Sequence, residues 1–255
     1  MQIAGTSAIV TGAASGLGAA TSAALARAGV RVIGFDLAAG WERSGPPVTD
    51  GIVPASGDVT NPADVAAALA RVTPDAPLRL AVNCAGIATA RRVLSRIGAH
   101  DLDVFTRVVT VNLIGTFNVV RLAAEAIAAT ETVDDAGQRG LIVNTASIAA
   151  YDGQVGQIAY AASKGGVVGM TLPAARDLAQ YGIRVMTIAP GILDTPLLLG
   201  SVTEEIREAL AATVPFPARF GRPDEYAALV LSLAAADYLN GEVIRLDGAL
   251  RMPPR

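Results

Sequence analysis

The sequence predicts a doubly wound α/β fold, with a parallel sheet of about seven strands and helices on both faces. Three observations predict it. Short apolar runs alternate with Ala-rich helical stretches along the whole chain. The apolar runs are continuous rather than alternating, as in strands buried on both faces. The first of them ends in a glycine-rich turn that opens a helix. At 255 residues without an internal repeat or linker, one domain spanning 1–255 is expected, with a cofactor half over 1–145 and a catalytic and substrate half over 146–255.

Each element has a local reason. Ser7–Val10 is a buried-type strand, and Leu17–Ala28 a helix stopped by Gly29. Arg31–Asp36 and Ile52–Ala55 are the next strands. Asn61 caps a helix over Pro62–Val72, with proline in its first turn. Leu80–Asn83 is a strand and Asp103–Ala129 a long helix. Leu141–Thr145, the helix Gln157–Gln180, the strand Ile183–Ala189, the helices Thr203–Thr213 and Pro223–Ala236, and the strand Val243–Leu246 complete the pattern. Gly40–Gly51 and Thr130–Gly140, rich in Gly, Pro and Asp, read as loops.

Composition narrows the function. Apolar residues make up 52% and charged residues 17%, with a net charge of −3. That balance argues against nucleic acid, whose phosphates require a basic surface. One cysteine, Cys84, and one histidine, His100, disfavour a disulfide framework, a thiolate or imidazole metal site and a histidine-based triad. Gly or charge interrupts the apolar runs before the ~20 residues of a membrane span, and Met1–Thr6 lacks the positive start of a signal peptide. A cytoplasmic protein is expected, or one of the mitochondrial matrix had a targeting segment been removed. Of 20 basic residues only Lys164 is a lysine.

After the first strand come Gly12, Ser15, Gly16, Leu17 and Gly18, spaced G-x-x-x-G-x-G. Glycines there let the backbone approach a pyrophosphate at a helix N-terminus. Asp36 ends the second strand. A carboxylate there accepts hydrogen bonds from an adenosine ribose and repels a 2′-phosphate. Leu37, Ala38 and Ala39 offer no cation, so NAD is expected over NADP. Tyr160 and Lys164, at i and i+4, share a helix face. An ammonium beside a phenol lowers its pKa from about 10 and prepares it for acid–base work.

The motifs Thr11-Gly12-x-x-x-Gly16-x-Gly18, Asn83-Cys84-Ala85-Gly86, Asn112, Ser147, Tyr160-x-x-x-Lys164 and Pro190-Gly191 occur in order over essentially the whole chain. They resemble the short-chain dehydrogenase/reductase family, whose fold is Rossmann-type. The resemblance implies hydride transfer between a nicotinamide and a hydroxyl or carbonyl carbon. It makes Tyr160 the proton exchanger, supported by Lys164, which also holds the nicotinamide ribose. Ser147 holds the substrate oxygen and Asn112 supports a water relay. Ser15 and Leu17 line the cofactor, Asp58 and Val59 flank the adenine, Cys84 with Ala85 and Gly86 lies by the adenosine ribose, and Thr195 reaches the carboxamide beyond Pro190 and Gly191. Cys84 stands where the family usually has Asn, and is expected to be a small buried packing residue. The family also pairs the helices Asp103–Ala129 and the one bearing Ala161, Gly165 and Gly169 across two-fold axes, which implies a homotetramer of D₂ symmetry.

A closer resemblance, through Gly153–Tyr160, Gly169–Pro173, Val214–Pro217 and Asn240–Ala249, is to short-chain (type 2) 3-hydroxyacyl-CoA dehydrogenases. It implies NAD-linked interconversion of L-3-hydroxyacyl-CoA and 3-oxoacyl-CoA, as in fatty acid β-oxidation, with Gln157 and Leu193 at the substrate. The alternatives are an NAD-linked dehydrogenase of another secondary alcohol such as a hydroxysteroid, a 3-oxoacyl carrier-protein reductase, and a non-catalytic dinucleotide sensor. Where the subgroup tends to have Phe-Gly, this chain has Leu193-Asp194. Leu193 is expected to widen the pocket, and Asp194 to face solvent. Arg91, Arg92 and Arg96 form either a phosphate-binding group at the cleft mouth or a solvated cluster, and His100 an exposed loop residue.

Overall fold

A computed structural model describes residues 1–196 and 203–254. Its sheet contains seven parallel strands in the order β3-β2-β1-β4-β7-β8-β9. These are β1 Ser7–Thr11, β2 Arg31–Asp36, β3 Ile52–Ser56, β4 Leu78–Asn83, β7 Gly140–Thr145, β8 Ile183–Pro190 and β9 Val243–Leu246. A small hairpin, β5 Leu94–Ser95 with β6 Gly98–Ala99, lies outside the sheet. The central strands are continuously buried, as their unbroken apolar runs require.

The helices are α1 Gly16–Arg27, α2 Ala38–Ser44, α3 Pro62–Leu69, α4 Leu102–Ala128, α5 Ile158–Ala179, α6 Glu204–Ala212 and α7 Pro223–Ala235. One core, around Ile9, Phe35, Val119, Ile142 and Val185, packs α3, α4 and α5 on one sheet face. The other, around Val10, Leu80, Val143, Ile188 and Tyr226, packs α1 and α7 on the opposite face. Asn61 caps α3 as expected, accepting from Ala63 N at 3.0 Å. Helix α4 is long and apolar enough to cross a membrane by length and composition, but half of its most apolar window is buried inside the fold.

Three local features depart from the sequence reading. The Gly40–Gly51 segment is not all loop, because α2 occupies its start. Trp41 anchors that helix by donating from Nε1 to Ala55 O at 3.2 Å. The β5–β6 hairpin was not foreseen; its strands are two residues long and carry too little pattern to read. Helix α4 widens into a π turn over Thr110–Gly115, where Asn112 sits.

The chain winds outward from β1 to β3, then crosses back to β4 beside β1 and winds the other way. The carboxyl ends of β1 and β4 flank that reversal, and ligands bind open α/β sheets in such a crevice.

Candidate active site

The loops leaving β1, β4, β7 and β8 converge on a cleft of about 300 Å³ at the carboxyl edge of the sheet. The first supplies the glycine turn. Gly12 has φ +66°, and a Cβ on it would sit 2.9 Å from Ala85 N. A Cβ on Gly18 would meet Gly12 O at 2.1 Å, so nothing larger fits. Thr11 Oγ1 accepts from Cys84 N and Ala85 N at 3.1 and 3.0 Å, tying the turn to the loop after β4. Thr195 lies over the turn: a Cβ on Gly16 would touch its side chain at 3.5 Å.

Asp36 sits where predicted, at the end of β2. Oδ2 accepts from Ala14 N at 2.9 Å and Oδ1 from Leu37 N at 2.7 Å. A carboxylate has about four acceptor sites, so capacity remains for a diol. Asp58 is fixed by its own turn, accepting from Thr60 N and Oγ1 at 2.8 Å. Val59 is buried against Gly115 and its carbonyl accepts from Asn118 Nδ2 at 2.8 Å.

The remaining residues meet inside the cleft. Leu17, Cys84, Gly86, Ser147, Tyr160 and Lys164 line it together with Gln157, Pro190, Gly191, Leu193 and Thr195. Lys164 is buried and donates from Nζ to Thr145 O at 2.7 Å, which leaves two of its three protons for other acceptors. Asn112 stands behind them. Its amide bonds Ile87 twice, accepting from N at 2.8 Å and donating to O at 2.9 Å, and donates to Ser163 Oγ at 3.1 Å. Ser163 Oγ in turn donates to Tyr160 O at 2.7 Å.

The electrostatics depart from the expected lowering of the Tyr160 pKa. Burial pushes the Tyr160 phenol above its ordinary value, with the Ser147 hydroxyl pulling the other way. Lys164 lies with Nζ 5.8 Å from the Tyr160 ring centroid and is engaged by the Thr145 carbonyl. Desolvation brings Lys164 itself down to about 8. For both groups, removal from water is the largest influence. Cys84 packs against the core and is partly exposed to the cleft. Its Sγ lies 3.8 Å from both Thr145 Oγ1 and Tyr226 OH, and burial pushes the thiol up, away from the reactive thiolate.

Asp194 does not simply face solvent. It is half-buried, and Oδ2 accepts from Arg207 Nη2 of α6 at 2.8 Å. Arg91 is bound through its backbone, N donating to Gly156 O at 2.7 Å, while Arg92 and Arg96 are exposed just beyond the cleft-lining Ala88–Ala90. His100 is half-buried with its ring edge-on to Phe105.

Sequence reading missed Thr145, Ser163, Tyr226 and Met252. Thr145 stands two residues before Ser147 and could have been found by asking what a buried lysine donates to. Tyr226 bonds Thr145 Oγ1 at 2.7 Å across 81 residues, with no local signal. Among the described residues no group of three or more His, Cys, Asp or Glu is placed to hold a metal.

The sequence pattern of the short chain dehydrogenase family matches residues 6–205. A human protein named 3-hydroxyacyl-CoA dehydrogenase type-2 is 52% identical over 257 residues, covering 99% of this chain and 98% of that one. Its Drosophila melanogaster namesake is 51% identical over 250 residues, covering 96% and 97%. The crystal structure of 3-hydroxyacyl-CoA dehydrogenase type-2 from Mycobacterium avium superposes with a TM-score of 0.88 at 44% identity, covering 98% of both chains.

Proposed function

Because the chain belongs to the short chain dehydrogenase family, and is an oxidoreductase, we propose that it interconverts L-3-hydroxyacyl-CoA and 3-oxoacyl-CoA with NAD, through Tyr160. One observation carries the chemistry: Ser147, Tyr160 and Lys164, from two separate elements, line one cleft at the switch point of the sheet.

The residues present fit a dinucleotide. The cramped glycines leave the turn's backbone open to a pyrophosphate, and Asp36 keeps acceptor capacity with no cation following it in sequence. Bound NAD supplies the hydride acceptor. The rest falls to this chain's side chains. Ser147 Oγ fixes the substrate oxygen. Tyr160 Oη takes the proton from an alcohol or returns it to a carbonyl. Its raised pKa keeps Oη protonated at neutral pH, the form suited to reduction, so oxidation gains from alkaline pH. Lys164 offers its two remaining protons to a ribose hydroxyl. Arg92 and Arg96, exposed and following the cleft-lining Ala88–Ala90 in sequence, would meet coenzyme A phosphates. The names of the relatives support the acyl-CoA class.

The test follows NADH absorbance with 3-hydroxyacyl-CoAs of several lengths, a hydroxysteroid and simple secondary alcohols, with NAD and NADP. Turnover of L-3-hydroxyacyl-CoA with NAD well above NADP is expected. Tyr160→Phe should lose about 10²–10⁴-fold in kcat and keep NADH binding. Preference for NADP, or turnover confined to alcohols lacking coenzyme A, would overturn the assignment.

A further inference from the structure

The segment after β9 brings Met252 to the cleft. Between Asp247 and Leu250 the chain reverses, with Leu250 N donating to Asp247 O at 3.0 Å. Ala249 adopts φ +66°, a conformation that an L side chain rarely takes. Arg245 clamps the reversal. Its Nη2 donates to Leu250 O at 2.9 Å and pairs with Asp152 at 2.6 Å, while Nε pairs with Asp247 at 2.6 Å.

The residues beyond are fastened to the loop in front of α5. Val155 N donates to Pro254 O at 3.1 Å, and Gln154 Nε2 to Pro253 O at 3.1 Å. Between clamp and fastening, Met252 packs on Ile148, Val214 and Leu250. It also lines the cleft, together with Ile148, Ile192 and Leu193. That corner is apolar.

We propose that Met252, held in place by this strap, determines specificity by limiting the length of the substrate's apolar branch. The proposal rests on reading the cleft as a secondary-alcohol site, but not on coenzyme A being part of the substrate. An unbranched thioether can yield to chains of differing shape, yet it still occupies the space a longer chain would need. A methylene more or less in an apolar pocket changes selectivity about 10–200-fold.

The experiment measures kcat/KM for the intact protein and its Met252→Ala, Met252→Trp and Gln154→Ala variants. The substrates are two series of increasing alkyl length, 3-hydroxyacyl-CoAs and 2-alkanols. Met252→Ala should raise the long-to-short ratio at least about tenfold, and Met252→Trp should lower it. Gln154→Ala, which loosens the strap and also removes the acceptor of Gln157 Nε2 at 3.5 Å, should move it the same way as Met252→Ala but less. NADH affinity by fluorescence should stay unchanged, showing that the fold and cofactor cleft persist. An unchanged ratio in both Met252 variants would overturn the proposal. Turnover of the alkanols alone would refute the acyl-CoA reading, and the ratio within that series would still decide the role of Met252.

Discussion

Lys164 is the residue with most at stake in the cleft. The folded protein holds its ammonium away from water, with a pKa near 8 against 10.5 when free. Below about pH 8 this buried charge costs stability. Between 8 and 10.5 the unfolded chain binds more protons at this site than the folded one, so stability rises with pH. Lys164→Met should abolish most activity while removing the burial cost. Urea unfolding of both proteins at pH 7 and pH 10.5 should show the wild type gaining on the variant by up to about 3 kcal/mol. Parallel pH dependences would mean that the ammonium is not desolvated. Lys164→Arg should restore little, because a planar fork does not replace a point charge aimed at the Thr145 carbonyl.

Among the elements, α6 is held by its ends and its charges rather than by a core, since none of its residues is buried. Arg207 is its main tether. It pairs with Asp194 and stacks over Phe220 at 5.6 Å. Both partners are about one-third exposed, so the pair contributes at most about 1 kcal/mol. Amide exchange should therefore be fast in α6 and slow in β1, β4, β7 and β8, and Arg207→Met should accelerate α6 alone. Uniform protection across both would contradict this. The same contrast explains what the sequence could reveal. The inner strands β2, β1, β4, β7 and β8 were legible because burial on both faces demands unbroken apolar runs. The glycine turn, Asp36 and the Tyr160–Lys164 pair were legible because each function needs a fixed local spacing. The Asp194–Arg207 pair, Tyr226 and Met252 were not, because their partners lie far off in sequence and leave no local period. The Tyr160 shift was misjudged for a related reason. Spacing on a helix brings the lysine near, but only the fold determines how much water both groups lose.

For the molecule as a whole, two exposed helix faces bear on assembly. On α4, Ile114 and Phe117 are about half exposed. On α5, Leu172 is exposed, and a Cβ on Gly165 or Gly169 would meet nothing within 4 Å. Small residues beside exposed apolar ones permit close helix approach between copies. Light scattering should give about four times 25.9 kDa, and Phe117→Arg should break that assembly. A stable, active monomer of the wild type would refute the D₂ tetramer.

The π turn in α4 has a consequence of another kind. An α-helix advances about 100° per residue, and one additional residue in a turn rotates everything downstream by that amount. The part of α4 before Thr110 packs on α5, and the part after Gly115 packs on β4 and β7. The two parts keep different azimuths, and Asn112 lies where the phase slips. This stretch is therefore governed by residue count as much as by residue identity. Most single substitutions between Thr110 and Gly115 preserve the phase. Loss of one residue would return the helix to regular winding, turn one packing face away from its neighbour and carry the Asn112 amide off Ile87.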